Sequence, residues 1–291
     1  MISLYIVIFI IILIYFYYII KIESDINTVK NKIKNAYTDG YSISLSLIPV
    51  FKTSHMDYKK FFDLIDIIEL KESNLDMFNK SKISIKLGQL GINYNEQINN
   101  FHKILKYSDK RNVFVWIASV FRHDLELEIH TYIFFRKLGY QNIGITLSTC
   151  NSEILQNVNI ILNMQGHIRL VKGFYKGNIK NWNEVSNFFL QVAIKLVKSD
   201  LYHCIATHDF NIIKKLLSYQ NNKIEYAFFY SSKKYVAFSI NKYNLQLNRK
   251  SLYIHYGDVI PYLRDNLIYL DHWNIMKRYL NNIYSNIEIN I

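Results

Sequence analysis

A (β/α)8 TIM-type barrel with an N-terminal transmembrane helix is the fold class that this sequence predicts, and three observations predict it. Short apolar, β-branched runs alternate with longer segments of helical period beyond residue 40, the order of an α/β protein with a parallel sheet. Eight such units need about 250 residues, and the 291-residue chain leaves that much after its first forty positions. Residues 2–20 carry no charge. The composition agrees with a folded chain, since half of it is hydrophobic and a fifth charged.

The N-terminal run comes first. Nineteen uncharged residues rise roughly 28 Å as a helix, about the hydrocarbon thickness of a bilayer. A cleaved signal peptide has a basic start, a shorter apolar stretch and small residues at its end. This run begins directly after Met1 and ends in Tyr17-Tyr18-Ile19-Ile20, so an uncleaved anchor is expected. It is apolar on all sides, which a surface helix of a soluble domain is not. Lys21, Lys30, Lys32 and Lys34 outnumber Glu23 and Asp25, which puts the rest of the chain on the cytoplasmic side. The domain plan is an anchor at 1–22, a linker at 23–40 and a barrel at 41–291.

Strands are expected at 43–48, 83–87, 113–117, 143–147, 168–171, 204–207, 226–230 and 252–256. Helical period marks 58–70, 96–107, 125–138, 153–164, 184–197, 211–219 and 262–283. In the fifth of these, Val185, Phe188, Phe189, Val192 and Leu196 recur at the spacing of one helix face. A doubly wound open sheet has the same alternation, but no Gly-rich dinucleotide turn follows any of the strands. Barrels of this kind keep their chemistry at the C-terminal ends of the strands. Lys86, Ser148, Lys172 with Gly173, His208 with Asp209, Tyr230 and Tyr253 stand at those ends.

Several function classes are disfavoured. Subtracting 23 acidic from 35 basic residues leaves +12, yet no block of Lys or Arg carries the excess, so a membrane surface or an anionic cofactor explains it without nucleic acid. Cys150 and Cys204 are the only cysteines, which excludes a disulfide framework and a Cys-x-x-Cys pair. No metal site is expected. His203 and His208 have no acidic partner at ligand spacing, and His123-Asp124 with His130 reads as a solvated loop and helix.

The motifs on the strands carry more than their polarity. Arg169-Leu-Val-Lys-Gly-Phe-Tyr175 resembles the Arg-Leu-Val-Lys-Gly-Ala-Tyr signature of the proline dehydrogenase family, flavin enzymes on a distorted (β/α)8 barrel. Ser84-Ile-Lys-Leu87 is similar to that family's strand with a substrate-side lysine, and Asn142 to Leu147 to its Asn-Val-Gly-Ile-Thr-Leu strand. Ala206-Thr-His-Asp209 resembles its Ala-Thr-His-Asn/Asp turn, Glu225 to Tyr230 its Glu-Phe-Gln-Met-Leu-Tyr strand, and Tyr253-Ile-His-Tyr-Gly257 its Tyr-Val-Pro-Tyr-Gly. Together these span roughly residues 40–283 in the family's order.

The resemblance implies FAD as cofactor and oxidation of L-proline to pyrroline-5-carboxylate, a step of proline catabolism, with electrons passed to a membrane quinone. It implies that Arg169 faces the reactive edge of the flavin, that Lys172, Gly173 and Tyr175 line the cofactor, and that Thr207 and His208 hold its nucleotide. Lys86, Tyr253, Tyr262 and Arg264 fall to the substrate side. There the sequence departs from the family. With Leu267 in register, two carboxylate-clamping arginines become Asp265 and Asn266, the following acid becomes Tyr269, and one deletion brings Arg264 into the first arginine's place. An acid after the third strand becomes Ala118, and two glutamines become Ser148 and Ala227.

Three functions stay open on this reading. The first is an FAD-dependent, proline dehydrogenase-like oxidoreductase, weak or altered in substrate. The second is a catalytically degenerate, membrane-tethered barrel acting as scaffold or regulator. The third needs no family: a Schiff-base lyase on Lys172 or Lys86, for which a buried lysine of lowered pKa is required.

Overall fold

The computed structural model describes residues 22–23, 26–47, 58–118, 125–173, 177–179, 181–219 and 221–256. Strand β1 (Ile22–Glu23) and helix α1 (Ile26–Thr38) precede the alternating part. That part runs β2 (Ser42–Leu47), α2 (Lys60–Glu72), β3 (Lys82–Ile85), α3 (Tyr94–Asp109), β4 (Val115–Ile117), α4 (Leu125–Lys137), β5 (Ile143–Ser148) and α5 (Ile154–Asn163). It continues with β6 (His167–Val171), α6 (Trp182–Lys198), β7 (His203–Ala206), α7 (Phe210–Leu217), β8 (Ile224–Phe229), α8 (Lys233–Lys242) and β9 (Arg249–Tyr256). Strands β2 to β9 pair in parallel in sequence order, and β9 closes on both β8 and β2. The result is an eight-stranded parallel barrel, each described strand-to-strand crossover carrying a helix.

The period-two alternation of the strands explains the layering. Ile43, Leu45 and Leu47 of β2, with Ile83, Val115, Ile145, Leu170 and Ile254 on other strands, are fully or almost fully buried in one apolar cluster with the helices. Their neighbours in sequence point the other way, into the lumen. Three of the helices start on side-chain caps: Asn93 accepts from the Glu96 N–H, Asn181 from Asn183 and, three residues after the end of β7, Asp209 from Ile212.

Three expectations change. The segment 23–40, taken for a linker, contains α1, whose Val29, Ile33 and Ala36 at the spacing of one helix face are buried in the core. The interspersed lysines hid that stripe, and one of them, Lys32, lies over the ring of Tyr230 at 4.5 Å. Helix α8 was not among the expected helices, because only Val236 and Ser239 of it are buried and its apolar spacing is sparse. Strands begin one to three residues earlier than expected at β2, β3, β6, β7, β8 and β9, with polar first residues such as Lys82, His167 and Arg249, and two residues later at β4. Among the described residues no helix is long and apolar enough to cross a membrane. The run at 2–20 and the helix expected at 262–283 lie outside the described residues.

Candidate active site

The lumen is polar, unlike the aliphatic interior usual for this fold. Its N-terminal end is closed. Lys82 and Glu225, both shielded from solvent, form an ion pair of 2.7 Å, and Glu225 also accepts from Ser251 at 2.7 Å and Tyr202 at 3.0 Å. Burial alone would raise the Glu225 pKa, but Lys82 and these hydroxyls hold it below the ordinary carboxylate value. Phe78 plugs the opening, with its ring 4.3 Å from Tyr202, 5.3 Å from His167 and 5.8 Å from Phe114. Access therefore comes from the C-terminal end.

Arg169 occupies the middle of the lumen. It is 5% exposed. From β6 it donates Nε to Thr146 of β5 (3.0 Å), Nη2 to Ser84 of β3 (2.7 Å) and Nη1 to Ser44 of β2 (3.4 Å). Contacts with strands on the opposite wall are possible only across the lumen. Its guanidinium carbon lies 5.4 Å from the ring centroids of both Trp116 and Tyr253. Trp116 fits because β5 has a glycine beside it: a Cβ on Gly144 would stand 2.3 Å from Trp116 Cζ3. Among the described residues no carboxylate pairs with Arg169, so a buried cation is held by neutral hydroxyls and two aromatic faces.

Above Arg169, Tyr253 and Lys86 face the same space. Burial lowers the Lys86 pKa, opposed by the nearby Tyr253 and Glu128. Glu128, buried on α4, brings a carboxylate to a neighbourhood where Ala118 supplies none. His255 completes the set. Its ring packs edge-on against Tyr253 at 4.9 Å, and its pKa is lowered to about 3 by burial and by the charges of Lys86 and Arg169.

The residues expected on the cofactor side stand at the β6 and β7 ends, with partners of their own. Lys172 Nζ is 3.1 Å from Asp209 Oδ2 and donates to Ser186 Oγ at 3.1 Å. Thr207 Oγ1 accepts from the Asp209 N–H at 3.2 Å. His208 Nε2 is 2.8 Å from Ser232 Oγ and accepts from the Phe229 N–H at 3.3 Å; burial lowers its pKa to about 4. Gly173 has φ +88°, and a Cβ there would stand 2.0 Å from Ser148 Oγ, so the chain itself already requires this glycine. Arg169, Lys86 and Tyr253 thus come together, whereas Lys172, Gly173, Thr207 and His208 form the rim. Tyr175, Tyr262, Arg264, Asp265 and Asn266 lie outside the described residues.

Sequence reasoning missed Trp116, His255, Glu128 and the hydroxyls of Ser44, Ser46, Ser84 and Thr146. The signal was present. In Ser42-Ile-Ser-Leu-Ser46 and Lys82-Ile-Ser-Ile-Lys86 every second residue is polar, and that is the lumen face.

The fold is shared with proteins of known structure. Over 91% of the chain it superposes, at TM-score 0.71 and 14% identity, on proline utilization A from Bdellovibrio bacteriovorus inactivated by N-propargylglycine. The fold is that of one part of proline utilization A. Proline utilization A from Corynebacterium freiburgense matches with TM-score 0.65 and 12% identity over 91% of the chain, and a Bradyrhizobium japonicum mutant with 0.63 and 14% over 82%. The chain covers only 32%, 32% and 28% of these three proteins. No protein-family profile and no curated relative matches the sequence.

Proposed function

We propose that this barrel is an FAD-dependent oxidoreductase of the proline dehydrogenase type, acting on L-proline or a close analogue. The observation that carries the reading is Arg169, a buried lumen cation with hydroxyl acceptors but no carboxylate partner among the described residues. Such a charge is costly unless a bound anion offsets it. A reduced flavin ring is anionic, so the site fits the cofactor. When bound, FAD would supply the hydride-accepting chemistry. Lys86 and Tyr253 would orient the substrate, the closed N-terminal end would exclude water from that side, and Lys172, held in place by Asp209, would line the cofactor at the rim. Proline utilization A as the fold neighbour supports proline over other amines.

The uncharged run at residues 2–20 belongs to the same proposal as a membrane anchor with the barrel on the cytoplasmic side, and a membrane quinone as electron acceptor. Alkaline carbonate extraction tests the anchor: release of the intact chain into the soluble fraction would remove it.

The test of the chemistry is the visible spectrum of the full-length protein in detergent. A flavin band that bleaches on anaerobic addition of proline is expected. Protein that stays colourless after incubation with FAD would overturn the reading.

A second reading is favoured by the place of Lys86, which follows the end of β3 on the lumen face in surroundings that lower its pKa, as a Schiff-base lysine needs. Lys172 is instead committed to Asp209. Borohydride trapping of a carbonyl substrate on Lys86 would select this alternative.

A further inference from the structure

We infer that His255 and Ser46, with Lys86 at the end of the adjoining strand β3, receive the carboxylate of the substrate, the role that the family resemblance gives to an arginine pair where this sequence has Asp265 and Asn266. The inference rests on the proposed amino-acid substrate and deepens it by naming what holds its acid group.

Two independent observations meet at one point. Ser46 and His255 are register partners on β2 and β9, so they stand side by side on the closed wall of the barrel. Ser46 is fully buried and its Oγ has no hydrogen-bond partner among the described residues. His255 is half-buried, its ring touches Tyr253, and neither ring nitrogen has a hydrogen-bond partner among the described residues. A buried hydroxyl without a partner is costly, so such a group marks a place where a ligand can supply one. Here that something is an anion. The charged or titratable groups that act on His255 are Lys86 from β3, Arg169 from β6 and Tyr253 on its own strand. Two of the three are cations. They keep the imidazole neutral, with one N–H to donate, while the Ser46 hydroxyl donates a second hydrogen bond and the Lys86 ammonium supplies charge. A carboxylate has two oxygens to accept them. A ligand without that charge would gain little, so the pair sets specificity.

The test is calorimetric titration of the full-length protein in detergent with L-proline, with cyclopentanecarboxylate and with uncharged cyclopentanecarboxamide. His255→Ala and Ser46→Ala should each weaken both carboxylates roughly tenfold or more, the effect of one charge-assisted hydrogen bond. Amide binding and FAD content should stay as in the unaltered protein, and His255→Gln should recover part of the loss. If His255→Ala does not fold, His255→Gln and Ser46→Ala carry the comparison. Unchanged carboxylate affinity, an equal loss for amide and carboxylate, or no carboxylate binding in the unaltered protein would overturn the inference. The two readings fail separately. Colourless protein that binds carboxylate through His255 leaves this inference standing without the flavin, whereas proline-bleached protein indifferent to His255→Ala leaves the flavin without this inference.

Discussion

The guanidinium of Arg169 and the ring of Tyr253 face each other across the barrel lumen at 5.4 Å. Both residues come from strands, and strands of a closed barrel move little, so this contact is part of the scaffold before any ligand arrives. Arg169→Ala should therefore reduce FAD content and lower the potential of any flavin that remains, because a cation beside the ring favours its reduced anion. Arg169→Lys keeps the charge but not the three hydroxyl contacts, and should fall between the two. Flavin content and potential equal in all three proteins would take Arg169 out of the cofactor site.

The ion pair at the other end is predicted to matter for folding and not for chemistry. Glu225→Gln leaves Lys82 buried without its counter-charge and should destabilise by roughly 3 to 5 kcal/mol. The double change Lys82→Met with Glu225→Gln should cost less than the single one. Denaturant titration of the three proteins decides it, and a single variant as stable as the unaltered protein would be the contrary result.

Gly144 and Trp116 define a steric test. Gly144→Ala drives a methyl group into the indole and should cost about 1 to 3 kcal/mol. Adding Trp116→Phe, which shrinks the ring, should recover part of it. Additive losses in a double-mutant cycle would show that the two residues are not in contact.

Acid sensitivity follows from the histidines at the N-terminal end. Burial lowers the pKa of His167 to about 4, and burial with the neighbouring His167 lowers that of His203 to about 3. Both folded values lie below the ordinary 6.5, so the unfolded chain takes up protons first as pH falls. The stability these residues contribute is complete above pH 6.5 and is lost between there and the folded values, by about 1.4 kcal/mol per pH unit for each histidine. His167→Phe, placed among Phe78, Phe114 and Tyr202, should flatten that slope by one proton. Stability curves from pH 7 to 4 with identical slopes would contradict it.

The barrel was legible because its outward faces are nearly pure Ile, Leu and Val, a pattern that period and length alone resolve into strands. Arg169, Lys86 and Tyr253 were legible because each sits in a motif that resembles a known one. His255 was not, since it stands where the resembled motif has proline and nothing in the sequence says that its ring shares a space with Lys86. Ser46 was hidden for a different reason. In a strand of alternating Ser and apolar residues, serine reads as a solvent-facing position, and only closure of the sheet turns that face inward. The helix at Ile26–Thr38 was obscured by its interspersed lysines, one of which, Lys32, is itself buried.

The two-residue strand β1 lies beside β9 where β8 has already ended: Ile22 pairs with His255, two positions past the last β8 pairing at Tyr253. Residue 22 is thus held at the rim of the open end. The last residue of the uncharged run is two positions away, no more than about 7 Å along an extended chain. If that run enters a bilayer, so short a leash would press the open end of the barrel against the lipid. A greasy reactant could then slip in sideways without crossing water, while a polar one would have to arrive along the headgroups.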